Sequence, residues 1–298
     1  MASITTFSGP ESAMPTLDDQ RQAAQMLLKR LPSMPTVSAR LLGMMGKADV
    51  NLKEISNLIV SDAALTGEIL RMSNSAMFSV RSEVRSILQA LAVLGTEKVK
   101  GLACTVALRS YLGNALQIPA LKRCWRHNLA TAVVSSEIAD WARQDSGEAY
   151  TVGILHDIGR LGLIAIDPSQ YLQLLDRAAN HGGDLLDLER EAYGVDHAVA
   201  GEWLATNWGL PPFISEAIRI HHLPLEDSYS STVGLIHYGC RISEMIGFSP
   251  VDVAGAPDLG NPVDEFVKQL PALQRERLKF DLSELQMLIA SRVNALEA

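Results

Sequence analysis

The sequence predicts an all-α protein that consists of two helical lobes followed by a C-terminal helical tail. Apolar residues recur at intervals of three and four, which is the spacing of one helical face, as in Leu52, Ile55, Leu58 and Ile59. Strict alternation of apolar and polar residues, the pattern of a half-buried strand, is rare along the chain. Helix start and stop signals agree with this interpretation.

Several residues of the kinds that begin or end helices mark the predicted elements. Asp62 and Thr96 are expected to open helices, and Asp167 is expected to cap a helix whose first residue is Pro168. Gly194 separates two apolar segments and is expected to end the first of them. The order of these signals is that of a helical protein.

A break at Ile118 and Pro119 divides the chain, and all seven histidines follow it. A chain of 298 residues is long enough for two lobes. We predict a disordered lead-in, an N-terminal helical lobe, a histidine-bearing helical lobe, and a loop with C-terminal helices, over residues 1–20, 21–117, 118–247 and 248–298 respectively. The tail is expected to serve packing or dimerisation.

Composition narrows the classes of function. The net charge of -8 gives no general attraction to nucleic-acid phosphates, so direct nucleic-acid binding is not expected. Three scattered cysteines are too few for a disulfide framework or a close-spaced zinc cage. The first twenty residues lack a secretory signal, and no continuous apolar run approaches the ~18 residues of a membrane-spanning helix. We therefore expect a cytoplasmic protein without membrane association.

The stretch YTVGILHDIGRLGLIAI, residues 150–166, places His156 and Asp157 inside an almost entirely apolar segment. Two interpretations remain open. The imidazole and the carboxylate suit a divalent metal such as iron, manganese, zinc or magnesium. They also suit a buried pair that is satisfied by hydrogen bonds at a helix end.

Other histidines extend this pair into an ordered pattern along the predicted second lobe. His127 precedes it, and His197 and the pair His221 and His222 follow it. Adjacent residues on a helix point about 100° apart, so a metal cage would need donors from several helices.

This order of histidines resembles the HD superfamily of metal-dependent phosphohydrolases, and in particular its HDOD branch, the HD-related output domain. The similar segments include LPSMPTVSARLLGMM, LKEISNLIVSDAALTGEILRMSNSAMFS, VLGTEKVKGLA, GILHDIGRLGL and NWGLPPFISEAIRIHHLP, within about residues 25 to 245. The resemblance implies two helical lobes, an HD-like site in the second lobe, and a role in bacterial signal transduction.

The sequence departs from catalytic HD domains at two positions. Cys240 stands where the resemblance implies a late aspartate that closes the first metal site. Arg160 follows the His-Asp pair where the cyclic-dinucleotide phosphodiesterases carry a lysine, and HHLPLEDS replaces their Gly-Tyr-Pro signature. An arginine could still bind phosphate, but with a different geometry from that of a lysine.

The resemblance implies His127, His156 and Asp157 as ligands of one metal, with buried hydrogen-bonded side chains as the alternative. Secondary candidates for another ion are His197, His221 and His222, for which satisfied histidines are the favoured interpretation. Cys240 is interpreted as a small buried hydrophobic residue, although a thiolate would favour zinc or iron over magnesium.

Two functions of different classes follow. The first is a regulatory or output protein that binds a signalling partner or a small nucleotide-like ligand without turnover, and that could form a homodimer. The alternative is a phosphohydrolase acting on a nucleotide or cyclic dinucleotide, with His156, Asp157 and Arg160 at its active site. Family-like features are also dense around residues 61–78, where no histidine occurs, so we expect an interaction surface there.

The remaining conspicuous residues are interpreted as structural. Asn74 and Ser75 are expected to cap a turn. Trp203 and Trp208 are expected to pack in the core and between the lobes. A solvated basic face is predicted for three residues of one helical stretch, namely Lys98, Lys100 and Arg109.

Overall fold

The computed structural model describes residues 14–31, 35–44, 51–75, 78, 80, 82–223, 231–251, 260–276 and 282–297. These residues form α-helices, a 3₁₀-helix and a π-helical turn, with no strand among them, so the predicted all-α class is confirmed.

The helices follow one another closely along the chain. The first six are α1 Leu17–Leu28, α2 Thr36–Leu42, α3 Leu52–Val60, α4 Ala63–Ser73, α5 Ile87–Leu94 and α6 Thr96–Leu112. The next eight are α7 Pro119–Ala142, α8 Ser146–Leu155, α9 Ile158–Ile166, α10 Pro168–His181, α11 Leu185–Tyr193, α12 His197–Asn207, α13 Pro212–Ile220 and α14 Thr232–Ser243. The last three are α15 Pro262–Gln269, α16 Ala272–Arg275 and α17 Leu282–Glu297. A 3₁₀-helix, Gly113–Gln117, precedes α7, and a π-helical turn, Glu244–Phe248, follows α14.

Most of the predicted helix ends are found at the expected residues. Asp62 accepts a hydrogen bond from the Leu65 backbone N–H at 3.0 Å, and Asp167 caps α10 ahead of Pro168. Gly194 ends α11 in the left-handed conformation, with φ of 72°. Thr96 differs from the prediction, because it is the first helical residue of α6 and its side chain does not cap the helix.

The beginning of the described chain belongs with the second lobe rather than the first. A capping box of Thr16 and Asp19 starts α1, so the expected disordered lead-in is already helical from Leu17. Helix α1 packs against α9 and α12, and Arg21 pairs with Glu202 at 3.0 Å. Residues 1–13 of the predicted lead-in lie outside the described residues.

The two lobes share an extensive packed boundary. Helix α6 contacts α2 and α4 of the first lobe and α8 of the second. Trp208 packs edge to face on Tyr111 with ring centroids 5.8 Å apart, as the lobe-interface interpretation of that tryptophan predicted. Helix α17 packs along α7, and Ala295 in it accepts a hydrogen bond from Arg71 of α4. The tail therefore contacts elements of both lobes.

Lys100 does not belong to a solvated face, so that prediction was wrong. It is only 1% exposed, and its ammonium group donates to Glu97 at 2.8 Å and to the Met44 carbonyl at 3.1 Å. A buried lysine is retained where such partners replace water. Arg109 remains partly exposed, with Glu68 at 3.9 Å.

The side chain of Asn74 holds the segment after α4 in place through hydrogen bonds. Its amide group donates to the carbonyls of Leu70 and Val84, both at 2.8 Å, and accepts from the Val84 N–H at 2.7 Å. The Ser75 N–H continues the turn by donating to the Met72 carbonyl. The structural interpretation of both residues agrees with these bonds.

By length and composition alone, the stretch Ser146–Ile166, which comprises α8 and α9, could span a membrane. It does not contain a long uninterrupted apolar run, so the sequence analysis did not predict a membrane-spanning helix there. In the fold, 89% of its apolar window is buried. It packs against α6, α7 and α12. The apolar character of this stretch is thus accounted for by the protein interior.

Candidate metal centre

The side chains of the predicted site converge at the junction of six helices. His127 lies within α7, His156 follows the last residue of α8, and Asp157 precedes the first residue of α9. His197 begins α12, His221 and His222 follow α13, and Cys240 lies within α14. Residues far apart in the sequence are therefore joined at the ends and crossings of helices.

Two glycines allow these helices to approach closely. A Cβ atom on Gly159 of α9 would lie 1.9 Å from the His197 carbonyl oxygen of α12. A Cβ atom on Gly239 of α14 would lie 2.1 Å from Ser135 Oγ of α7. Separations this short exclude a side chain unless a neighbour shifts. The first crossing brings Asp157 towards His197, and the second brings Cys240 towards His127.

We call His127, His156 and Cys240 the first set. The two imidazole Nε2 atoms are 3.2 Å apart, and Cys240 Sγ lies 3.6 Å from His127 Nε2. Asp157 Oδ2 is 3.8 Å from each of these Nε2 atoms. The three donor atoms of the set lie within 4.8 Å of one another.

We call His197, His221 and His222 the second set, and it lies on the other side of Asp157. Asp157 Oδ1 is 3.1 Å from His197 Nε2 and 3.4 Å from His221 Nε2. His222 Nε2 is 2.9 Å from His197 Nε2. One carboxylate thus stands between two groups of imidazoles.

Almost all side chains of this centre are buried. Seven of its side chains belong to residues that are at most 4% exposed, namely His127, His156, Asp157, Arg160, His197, His221 and Cys240. His222 is the exposed member. The His-Asp pair is therefore buried next to His127.

Hydrogen bonds fix which nitrogen of each ring faces the centre. His127 Nδ1 donates to the Phe248 carbonyl at 2.9 Å, His156 Nδ1 to that of Gly153 at 2.7 Å, and His221 Nδ1 to that of Ile218 at 2.6 Å. A carbonyl oxygen can only accept, so each Nδ1 carries a proton and each ring turns its Nε2 inward.

Burial keeps the two imidazoles of the first set neutral. It lowers the pKa of His127 to about 4, although Asp157 opposes the shift. Burial likewise lowers the pKa of His156 well below its ordinary value. Two neutral rings then direct lone pairs at each other across 3.2 Å, an arrangement that a bound cation would satisfy.

Arg160 is the internal counter-charge of Asp157. Its Nε lies 3.0 Å from Asp157 Oδ2, and its Nη2 lies 3.4 Å from His197 Nε2. Although burial opposes the shift, Arg160 and the histidines hold the pKa of the Asp157 carboxyl well below its usual range. The guanidinium group therefore interacts with buried protein side chains.

Glu189 is a member of this network that sequence reasoning missed. It accepts from both the backbone N–H and Nδ1 of His197, at 2.7 and 2.6 Å, and from the Tyr171 hydroxyl at 2.5 Å. Although burial opposes the shift, Glu189 and Asp157 raise the pKa of His197 to about 9. A signal existed in the sequence, because Glu189 lies on the same face of α11 as Tyr193, four residues on, which is also buried.

The centre fits a divalent metal ion. Asp157 Oδ1, Asp157 Oδ2 and His221 Nε2 are buried without a hydrogen-bond partner, and buried polar atoms in that state call for an ion or a water. The donors are imidazole, carboxylate and thiol groups, which bind transition metals and zinc. A metal bound here would cross-link helices and supply Lewis-acid character.

The structure brings together every site residue that the sequence predicted. Asp157, assigned with His127 and His156, has its donor atoms grouped instead with those of His197, His221 and His222, although its Oδ2 is also 3.8 Å from both His127 Nε2 and His156 Nε2. Cys240 does stand at the centre, 3.6 Å from His127 Nε2, where the resemblance implied a closing ligand. The assignment of individual residues to a metal stays a prediction.

An all-helical fold with a histidine-aspartate centre at helix ends defines the HD class of proteins. Within that class, the family model for the HDOD domain matches residues 31–224. The chain therefore belongs to the HDOD domain family.

Solved structures share the fold. An HDOD domain protein of unknown function from Geobacter sulfurreducens is 20% identical, with a TM-score of 0.72 and coverage of 95% of this chain and 98% of that one. A protein from Shewanella amazonensis SB2B, provisionally named a phosphohydrolase, is 25% identical, with a TM-score of 0.67 and coverage of 92% and 96%. A protein from Marinobacter aquaeolei VT8, provisionally named a signal transduction protein, is 20% identical, with a TM-score of 0.71 and coverage of 96% and 67%.

A relative found by sequence similarity carries no named activity. An uncharacterized protein of Treponema pallidum (strain Nichols) is 26% identical over 206 residues, which are 67% of this chain. The match spans only 39% of the length of that relative.

Proposed function

We propose that this HDOD protein is a regulatory or output component of bacterial signal transduction, which acts in the cytoplasm by binding a protein partner or a small nucleotide-like ligand, without turnover. The enclosure of the HD-like centre carries the proposal. The seven innermost residues are at most 4% exposed, so a phosphoester has little access to the shared carboxylate.

The charges around Asp157 support the same conclusion. Metal-dependent hydrolysis needs an ion with an open position that faces the scissile phosphate. Here Arg160 neutralises Asp157 from within the protein, at 3.0 Å, and is itself only 3% exposed. A buried and paired guanidinium group is poorly placed to bind a substrate phosphate. Cys240 in place of a carboxylate also removes a hard oxygen ligand from the centre.

A second candidate is a metal-dependent phosphohydrolase that acts on a nucleotide or cyclic dinucleotide. The observation in its favour is that imidazoles of both sets lie within 3.8 Å of one carboxylate. His127, His156 and Asp157 would hold one ion and His197, His221 and His222 another. The exposed His222 would then be the part of the site nearest to solvent.

Elemental analysis and an activity screen separate the two candidates. Protein purified without chelator would be assayed for bound metal, and then tested on cyclic dinucleotides and generic phosphoesters with added zinc, manganese, iron or magnesium. We expect no appreciable turnover with any metal. Robust hydrolysis that disappears in a folded His156→Ala variant would establish the phosphohydrolase instead.

The binding arm of the proposal is tested by partner capture. Glu68→Lys on α4 reverses a charge on a partly exposed side chain of the expected interaction surface, and Asp176→Lys on α10 is a control on an exposed residue elsewhere. We expect Glu68→Lys to reduce capture and output, and Asp176→Lys to leave them unchanged. If His156→Ala alone abolished output, the interaction would not run through α4, and a ligand pocket at the centre would replace it.

A further inference from the structure

We propose that Cys240 is a metal ligand in its own right, and that the first set binds one soft divalent cation, zinc in preference to magnesium or manganese. The inference goes beyond the proposed function, because a zinc ion at these side chains is compatible with a regulatory protein and with an enzyme. It reverses the interpretation of Cys240 as a lost ligand.

The spacing of the donor atoms supports zinc coordination. Zinc binds imidazole nitrogen at about 2.0–2.1 Å and thiolate sulfur at about 2.3 Å in tetrahedral sites. Those bond lengths place two nitrogens about 3.4 Å apart, and a nitrogen and a sulfur about 3.6 Å apart. The observed separations are 3.2 Å between the two Nε2 atoms and 3.6 Å from Cys240 Sγ to His127 Nε2.

Hydrogen bonding alone leaves the first set incomplete. The Cys240 thiol can donate its one proton to His127 Nε2. His156 Nε2 then faces a second lone pair, since both rings carry their proton on Nδ1. The Asp157 carboxylate oxygens provide a second indication of a missing cation, because they are 1% exposed and accept no hydrogen bond, although Arg160 and His197 lie at ion-pair distances of 3.0 and 3.1 Å. A metal satisfies all of these atoms together.

The binding step balances without any further reagent. The divalent cation gains bonds to two neutral nitrogens and to sulfur, and the thiol proton passes to the solvent buffer. The thiolate offsets one of the two positive charges of the ion, and Asp157 Oδ2, at 3.8 Å from both Nε2 atoms, lies beside the ion while it stays paired with Arg160. The ordinary preference of thiolate for soft metals then selects zinc over magnesium and manganese.

Cobalt(II) substitution gives a direct spectroscopic test. Apoprotein of the full chain would be titrated with cobalt, and a thiolate-to-cobalt charge-transfer band in the near ultraviolet would report the Cys240 bond. We expect this band in the wild type and in Cys104→Ser, a change at a buried free cysteine outside both sets, and its loss in Cys240→Ser. Zinc should displace the cobalt, whereas magnesium should not.

The same variants give an affinity comparison. Cys240→Ser should bind zinc at least about tenfold more weakly, by analogy with the cost of disturbing metal-site partners. Cys240→Asp should shift the preference towards manganese. Equal zinc affinity in wild type and Cys240→Ser, or a cobalt spectrum without the charge-transfer band, would overturn the assignment.

X-ray absorption on the zinc-loaded wild type removes any dependence on how the variants fold. One sulfur scatterer at about 2.3 Å, with nitrogen or oxygen neighbours, is the expected first shell. A shell without sulfur would show that Cys240 is not a ligand. None of these readouts depends on turnover, so their failure would leave the proposed regulatory function standing.

Discussion

The two sets of histidines on either side of Asp157 differ in the groups that hydrogen-bond to the ring nitrogens facing away from the carboxylate. In the first set, each imidazole is held by a backbone carbonyl, and the rings are neutral. In the second set, His221 is likewise held by a carbonyl, but His197 is held by the Glu189 carboxylate and its pKa is raised to about 9, although burial opposes that shift. The imidazoles beside Asp157 Oδ2 therefore present Nε2 lone pairs, whereas His197, beside Asp157 Oδ1, belongs to a charged network.

This difference shows how one buried aspartate can serve two environments. A carbonyl orients a histidine without adding charge, so the ring remains available as a metal ligand. A carboxylate orients the ring and also stabilises its protonated form, so Glu189, His197, Asp157 and Arg160 can balance one another without a metal. We expect the second set to contribute to stability and the first set to metal binding.

The largest effect on this comparison is expected from Glu189→Ala. The substitution leaves the Tyr171 hydroxyl and His197 without their buried acceptor, and should lower the free energy of unfolding by about 3–5 kcal/mol. Urea denaturation in the presence of a chelator measures the loss. Glu191→Ala on the same helix is the control, because its exposed pair with Arg177 should contribute at most about 1 kcal/mol. Similar losses in both variants would mean that the second network is not stabilising.

Gly159→Ala should disturb the second side through the backbone. The added Cβ would lie 1.9 Å from the His197 carbonyl oxygen and 2.4 Å from the Gly201 nitrogen, so helices α9 and α12 must separate. We expect a loss of about 3 kcal/mol in unfolding free energy, at the upper end of overpacking costs. Gly162→Ala is the matched variant, because its nearest neighbour is the flexible end of Leu204. Thermal denaturation should rank Gly159→Ala well below Gly162→Ala.

Gly239→Ala is the corresponding change on the first side and should cost less. Its Cβ would meet Ser135 Oγ at 2.1 Å, and this hydroxyl can move more easily than a backbone oxygen. We expect a loss of about 1–2 kcal/mol. Because α14 carries Cys240, the zinc-induced rise in melting temperature should also shrink. Combining the change with Ser135→Ala should recover part of the stability, and a double-mutant cycle would show no coupling if the clash were not the cause.

The smallest effect is expected from His222→Ala. The residue is exposed, so its removal should change the free energy of unfolding by no more than about 0.5 kcal/mol. His221→Ala removes a buried ring whose Nδ1 donates to Ile218, and should cost about 1–3 kcal/mol. Equal costs for the two neighbouring histidines would place His222 in the enclosed network and reduce the contrast between the two sets.

The convergence of the histidines could be predicted from the sequence because it depends on features that a sequence records directly. Helical periodicity, capping residues such as Asp62 and Asp167, and the order from His127 to His222 all lie along the chain. Together with the family resemblance they gave the helical class, and they identified the side chains that meet at the centre.

The interior partners of those side chains could not be predicted in the same way. The burial of Lys100 depends on the Met44 carbonyl, which belongs to a distant segment. The role of Glu189 depends on the turn at Gly194, which folds His197 back onto α11. The position of a charged residue in an amphipathic helix does not show whether the fold supplies a buried partner for it.

The first lobe gives a further case in which tertiary contacts change an interpretation. The segment 61–78 was expected to be an interaction surface because no metal site explained its family-like residues. Asp62 caps α4 and Asn74 ties α4 to Val84, so architecture already explains two of these residues. The surface proposal therefore depends on the exposed positions, which is why Glu68 was chosen for its test.

The packing of α1 and α17 has a consequence for how the chain reaches its native state. Arg21 meets Glu202 across 181 positions of sequence, and Arg71 meets Ala295 across 224. Contacts of such long range must wait for loop closure and slow the search for the native topology. During synthesis, the early helices would emerge from the ribosome well before their partners exist. We therefore expect the lobes to acquire their final stability together, in one slow and late step, rather than one after the other.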